Sequence, residues 1–520
     1  MAIKIETFKN MYQDSVSLMQ ISAHIGKLPG VEQASVVMGT PANLVQLADA
    51  GLGNDVQASP NDLIIAVRGD EAACEEALRL AHERLSARAS GDETQTSEAL
   101  APTSLAMVCD EQPAANLALI SVPGDYAAAE AIKALQLGMN VMLFSDNVSM
   151  AQEKAIKTLA REKRLIVMGP DCGTAIVNGM PLGFANVVRR GGIGVVGASG
   201  TGLQEVTCRI DQLGAGISQA LGTGGHDLHE DIGGISMQFG LDALAEDPDT
   251  RVIVLISKPP ARAVAERILE RAQKAGKPVV VNFLGAAEAD MRAPGITPAL
   301  TLADAAQFAV ALLNCTALPA SVARVEPQDE AKLVKESESL GARRKFIRGV
   351  FAGGTFCYES QLLCRDAGFT ASSNTPVKGN AKLADIWTSA GHTIVDMGDD
   401  DFTRGRPHPM IDPTLRDERV RAEMLDPETA VVLFDLVLGY GAADEPAQGL
   451  IAALAHVRAE AAGRDLPLLI AHVCGTQSDP QVRSRQADAL REAGVLVAGC
   501  NAEAALWASR VARLQAQRHA

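Results

Sequence analysis

The 520-residue chain carries 47 Lys and Arg against 63 Asp and Glu, a net charge of −16, which excludes a nucleic-acid partner held through its backbone. A hydrophobic fraction of 47% with 21% charged residues is that of a globular chain of three or four domains, and no uncharged run reaches the roughly 18 residues that span a bilayer. Nine cysteines without a C-x-x-C pair suit neither a disulfide framework nor a zinc site, and a charged N-terminus without an apolar leader core points to the cytoplasm.

In chain order, residues 1–90 read as a small α+β module. Helices are predicted at 15–25, 41–50 and 71–85, with strands at 34–38 and 63–67. That order fits an ACT-like regulatory module or any compact α+β packing. Residues 89–103, rich in Ser, Thr and Pro, read as a linker. From 104 to 190, strands at 117–121, 140–144 and 165–168 alternate with helices, predicting a parallel, Rossmann-like sheet. Its loops at 122–125 and 168–175 lie where such sheets hold ligands, which makes Gly169, Pro170 and Asp171 candidate cofactor contacts; a plain turn is the alternative. Cys172 follows in the same loop.

A third unit, 191–320, opens on a short apolar run, Ile193–Val196, followed by Gly197-Ala-Ser-Gly-Thr-Gly202 and a segment of helical spacing. A strand, glycine loop and helix in that order present free amides and the positive end of a helix dipole to an anion. Ser199, Gly200 and Thr201 are its candidate phosphate contacts. A fourth unit, 343–515, repeats the pattern at Gly353, Gly354 and Thr355, and both copies keep the spacing G-T-x3-E-x8-G, with Glu205 matching Glu359. The two copies predict a pseudo-twofold pair of helix ends facing one pocket. A charged segment, 322–338, joins them as a surface helix or linker.

Lys258, at the end of the predicted strand 252–257, is placed to hold an anion, with a solvated surface lysine as the alternative. The most polar loop is 398–421. There Arg404 and Arg406, with His408 among prolines, offer bidentate recognition of a carboxylate or phosphate. Asp399, Asp400 and Asp401 offer a magnesium ion carried in by a phosphorylated substrate. A solvated loop whose charges offset each other fits equally well.

The stretches 168–179 (MGPDCGTAIVNG), 191–206 (GGIGVVGASGTGLQEV), 221–228 (LGTGGHDL) and 246–256 (EDPDTRVIVLI) resemble the α subunit of succinyl-CoA synthetase and the wider NDP-forming acyl-CoA synthetase superfamily. The second half resembles the ligase domain of the β subunit, and nearly the whole chain resembles the FdrA proteins of that superfamily. The resemblance implies an α/β protein: a Rossmann-like CoA-binding-type domain at 104–190, two duplicated flavodoxin-like ligase domains, and the small N-terminal module. It implies that the two glycine helices share a phosphate. It also implies acyl or carbamoyl phosphate chemistry, phosphorolysis of oxalurate to oxamate and carbamoyl phosphate in purine breakdown, by an assembly of like or different subunits. Candidate cofactors are CoA, and magnesium brought by a phosphorylated substrate. The sequence departs from the synthetases in two places. Residues 284–300 hold no histidine where those enzymes carry a phosphorylated one, and Lys258 stands where they place the glutamate that orients it. These departures imply that no phosphoryl group passes to the protein, and no ATP-grasp domain is legible in the chain. A ligase subunit relying on a separate ATP-binding chain and a non-catalytic anion-sensing subunit remain the alternatives.

Overall fold

The computed structural model describes residues 2–53, 56–91, 104–404, 406–461, 463 and 465–519. In the N-terminal module three antiparallel strands order as Ala2–Phe8, Leu63–Gly69 and Val31–Met38, with helices Ser15–Gly26, Pro41–Asp49 and Glu71–Gly91. The edge strand Ala2–Phe8 is absent from the sequence reading because its pattern is weak: Ile3 is half exposed and no residue in it is fully buried. Of the linker read at 89–103, residues 89–91 continue the last helix and 92–103 lie outside the described residues.

Next comes a three-stranded parallel sheet, Leu117–Ile120, Asn140–Leu143 and Val167–Met168. Its helices are Gly124–Gln136 and Met150–Lys163, the second opened by a reciprocal Ser149–Gln152 capping box. Lys157 ties this unit to the 223–227 segment of the third unit. Its fully buried ammonium donates to Glu153 at 2.7 Å, Asp227 at 2.8 Å and the Thr223 carbonyl at 2.9 Å.

Two seven-stranded sheets make up the rest. The first orders as Ile296–Pro298, Val279–Phe283, Val252–Ser257, Arg190–Gly197, Ile217–Gly222, Thr174–Val177 and Met180–Gly183. The second runs Leu496–Ala498, Leu468–Cys474, Thr429–Val437, Phe346–Phe351, Thr393–Asp396, Ser372–Ser373 and Ala381–Lys382. The first five strands of each correspond one to one and are parallel, as the internal repeat predicted. Both faces of such strands are covered, which is why runs such as Ile253–Ile256 carry no polar residue and no exposed surface. The hairpin Thr174–Gly183 pairs with Ile217–Gly222, so the sheet bearing the first glycine loop begins before residue 191.

The halves share one core. Ile193, Val206 and Leu302 pack in the same cluster as Ile347, Phe351 and Ala505. The charged segment forms the helix Pro327–Ser337, held on the last helix, Asn501–Arg518, by a two-pronged Arg510–Glu330 pair. No helix among the described residues is long and apolar enough to cross a membrane.

Candidate functional site

Each glycine loop follows the central strand of its sheet and starts a helix, Gly200–Gln212 in the first half and Gly354–Asp366 in the second. The two helix N-termini meet. The Ser199 and Thr355 hydroxyls share a hydrogen bond, and the Thr355 amide donates to Thr201 Oγ1 at 3.4 Å. Ser199 also caps its own helix by accepting from the Gly202 amide. The Gly200 and Thr201 amides lie in the first turn, where an amide has no partner within the helix, and so are donors at that terminus.

The second loop differs in a way the sequence reading did not anticipate. The buried Asp435 carboxylate accepts both the Ala352 and Gly353 amides at 2.7 Å, so part of that loop's anion-binding capacity is met from within. Glycine is required at 353 and 354 for space. A Cβ at 353 would lie 2.6 Å from the Phe356 ring, and one at 354 would lie 2.5 Å from Asp396 Oδ2. Asp396 thus stands against the second helix terminus. Burial pushes its carboxyl up to about 7, opposed by the charge of Lys258.

Lys258 follows the strand Val252–Ser257, is exposed, and sets its ammonium 5.6 Å from the centre of the Tyr358 ring on the second glycine helix. Its charge also favours ionisation of Asp171. Gly169, Pro170 and Asp171 form a loop against the 223–224 turn, where a Cβ on Gly224 would strike the Pro170 carbonyl. The Asp171 amide donates to the Ser145 carbonyl. Asp171 keeps an exposed edge, yet the protein packed around it, and after that Asp146, raise its carboxyl to about 7. Helix ends, Lys258, Asp171 and Asp396 therefore form one electrostatic unit at the carboxyl ends of the strands.

Within the 398–421 loop, burial lowers the His408 ring to about 4. Its Nδ1 accepts the Met410 amide, and the ring packs so closely on Gly398 that a Cβ there would sit 2.6 Å from Nε2. Arg406 lies over Trp387 with 6.0 Å to the ring centre, and Arg404 ends the short helix Asp400–Thr403; both are exposed. Asp399 caps that helix through the Asp401 amide. The three aspartates do not converge as a metal cage. Among the described residues, only Glu205, His472 and Cys474 bring three such ligand atoms within 4.8 Å of one another. Cys172 is no nucleophile, since full burial raises its thiol to about 12.

Two of these features carried a sequence signal. Asp435 and His472 are lone polar residues in otherwise apolar strands, AVVLFDLV and LLIAHVC, and both are buried, as is Asn282 in VVVNF of the first half. Asp396 gave no such sign, because it ends its strand beside a run of further aspartates.

Comparison with known proteins places these elements. Residues 350–511 match a CoA-ligase family model, 189–285 a CoA-binding domain model, and 1–102 a model described as AllF, heavy metal-associated domain. The CoA-binding match covers the first glycine loop and Lys258 but stops short of Gly169–Asp171. The chain is 43% identical to an uncharacterized Escherichia coli protein, YahF, over 98% of each chain. It is 32% identical to the mitochondrial succinate–CoA ligase (ADP-forming) subunit alpha-2 of Trichomonas vaginalis, over 33% of this chain and 57% of that one. Among solved structures, a dinucleotide-forming acetyl-coenzyme A synthetase of Ca. Korarchaeum cryptofilum matches 78% of this chain and 84% of its own at 16% identity, but a TM-score of 0.29 carries no argument.

Proposed function

Since the chain belongs to the family of the Escherichia coli YahF protein, within the succinyl-CoA synthetase superfamily, we propose that it is an enzyme of acyl or carbamoyl phosphate chemistry. Our specific reading is a subunit of an oxamate carbamoyltransferase, acting in purine breakdown as FdrA-like proteins do. The observation that carries it is the Ser199–Thr355 contact. It sets two helix N-termini at one point beside the exposed cation of Lys258, and no histidine lies in 284–300 to receive a phosphoryl group.

In this reading a phosphate sits on the Gly200 and Thr201 amides, with the Ser199 and Thr355 hydroxyls as further donors and Lys258 offsetting its charge. A phosphate oxygen attacks the carbamoyl carbon of oxalurate. The bond from that carbon to the oxamate nitrogen breaks, and the nitrogen leaves with a proton. The protein's contribution is positioning and electrostatic stabilisation, since no covalent intermediate is needed. Asp396 and Asp171, both titrating near 7, are the groups able to hold or give that proton at the edge of the site.

A second reading is favoured by the CoA-binding match across 189–285: an acyl-CoA ligase subunit that works with a separate ATP-binding chain. One experiment separates the two. The purified chain, alone and with the proteins encoded beside it, is assayed for carbamoyl phosphate from oxalurate and phosphate, and for ADP formation dependent on CoA and an acid. Carbamoyl phosphate without ATP supports the first reading; ADP that appears only with CoA replaces it with the second. Neither product under both conditions leaves a non-catalytic subunit.

A further inference from the structure

A cavity of about 680 Å³ lies between the two halves, with no part in the chemistry above. Its walls are the loop after the strand Val279–Phe283, the second glycine helix from Glu359 onward, the last helix from Leu506 to Arg513, and the strap 321–325. At 1.5 Å per residue, positions 359 to 366 lie roughly 6 to 16 Å along the helix axis from Thr355, so the cavity runs away from the first turn where a phosphate would sit.

The internal repeat shows why the space is there. Asn282 and His472 are equivalent by strand register, and Glu205 and Glu359 by helix spacing. Gly285-Ala286-Ala287 therefore correspond to Gly475-Thr476-Gln477, and Leu363 and Asp366 to Arg209 and Gln212. In the second-half loop polar side chains close the gap. Gln212 donates to the Gly475 carbonyl at 2.9 Å and accepts from Arg209 at 3.2 Å, the Thr476 hydroxyl donates to the Val187 carbonyl at 2.6 Å, and Gln477 accepts from the Ser484 hydroxyl at 2.8 Å. In the first-half loop alanines replace Thr476 and Gln477, and a leucine replaces Arg209, so these bonds have no counterpart.

What lines the space instead is apolar and cationic. Leu300, Val322, Val325, Leu362, Leu363 and Leu506 give it an apolar body, and Leu300 is 45% exposed there. Four arginines also line it. Arg510 is paired with Glu330 and Arg365 with Asp366, whereas among the described residues no carboxylate pairs with Arg324 or Arg513. The other carboxylate, Glu359, already accepts the Leu302 amide and the Asn501 side chain, each at 2.8 Å. The strap that carries Arg324 is held in place: the buried Asp304 carboxylate accepts the Ser321 hydroxyl at 2.6 Å and the Val322 amide at 2.8 Å. The volume falls within the ~300–1,000 Å³ of small-molecule sites, which are mostly apolar with a few placed polar groups. Guanidinium groups take a carboxylate through two parallel hydrogen bonds.

We propose that this cavity is a second ligand site, which takes an amphipathic organic anion: a carboxylate held by Arg324 and Arg513, on an aliphatic body that covers the leucines. Its ligand rests on the flank of the second glycine helix and does not reach the anion at the helix ends.

The test is calorimetric titration of the full chain with sodium octanoate as the probe. One saturable site is expected, with acetate, which lacks the body, and octylammonium, which lacks the anion, each at least tenfold weaker. Arg324→Glu combined with Arg513→Glu, both at exposed positions, lowers octanoate affinity at least tenfold, and Ala287→Trp, exposed in the loop, lowers it as far by filling the space. Lys258→Ala leaves it unchanged, which separates this site from the phosphate position and from the activity proposed above. Should a variant fail to fold, the three probes on the parent decide. Octanoate bound no more tightly than acetate or octylammonium overturns the proposal. So does parent affinity in the folded double variant or in folded Ala287→Trp, or octanoate binding that is lost with Lys258.

Discussion

Asp396→Asn tests the electrostatics of the site most directly. The native carboxyl has its pKa near 7 against 3.8 in a free side chain, because it is buried beside Asp399 and Asp435, with the Lys258 charge and the Gly398 amide opposing. A raised native pKa means that the folded state holds the proton longer than the unfolded state does. Stability from this group is therefore complete below pH 3.8, falls as pH rises toward 7, and is level above 7. Between about pH 5.5 and about pH 8.5 the parent loses the segment from 5.5 to 7, roughly 1.5 units at 1.36 kcal/mol each, or ~2 kcal/mol. Asparagine keeps an acceptor for the Gly398 amide but never charges, so it escapes that loss. Urea unfolding of both proteins at the two pH values should show the variant gaining ~2 kcal/mol on the parent at the higher pH, whatever the constant cost of the substitution. The same proton governs binding. Ionised Asp396 stands at a helix terminus and repels an incoming anion, so sulfate, whose charge is constant over this range, should bind the parent more weakly above pH 7 and the variant with a smaller pH dependence, that left by Asp171. Parallel pH curves for the two proteins would refute the reasoning.

Lys258→Ala should weaken carbamoyl phosphate binding about tenfold or more, the equivalent of a charge-assisted bond of ~1.5–3 kcal/mol, and Lys258→Glu should weaken it further; calorimetry showing parent affinity in both would make Lys258 an ordinary surface residue. Incubation with radiolabelled ATP or acyl phosphate should give no acid-labile, base-stable phosphoprotein, since 284–300 holds no histidine and His472 is buried against Glu205. Lys157→Met should cost ~3 kcal/mol by urea unfolding, because it takes the buried cation from Glu153 and Asp227 and leaves Asp227 only its two amide donors; a loss under ~1 kcal/mol would show that the pair does not hold the two units together.

The duplicated α/β architecture was legible because both strand period and glycine spacing are local signals. The strand Val252–Ser257 stands where its apolar run put it. The meeting of Ser199 with Thr355 was legible too, since the repeat implied a twofold relation between the helix ends. The strand Ala2–Phe8 was not, since a half-exposed edge leaves no clear alternation. Nor was the state of His408. Sequence shows a histidine among arginines, but its charge depends on burial against Gly398 of the same loop and under Phe184, which comes from far along the chain. Site features that depend on two distant segments, such as Asp435 under the second loop, leave only an odd polar residue in an apolar strand.

Those odd residues also show how the two copies divide the work. By strand register Gly197 pairs with Ile256 and Ile256 with Asn282, while Val350 pairs with Phe434, which puts Asp435 opposite Phe351, and Asp435 pairs with His472. Ile256 and Asp435 are thus equivalent positions, as are Asn282 and His472. Under the second loop a carboxylate takes two amides; under the first the equivalent side chain is apolar and takes none. Each helix end contributes roughly half a positive charge. The internal carboxylate offsets much of that pair, so two helix termini alone hold an external anion weakly. A cation must make up the difference, and of the sequence-predicted cations it is Lys258, over Tyr358, whose charge bears on Asp396 at the second terminus, whereas Arg406 lies over Trp387. On the function proposed above, the duplication therefore yields one anion position rather than two, on the first loop, with Lys258 and the protonation of Asp396 expected to set its affinity.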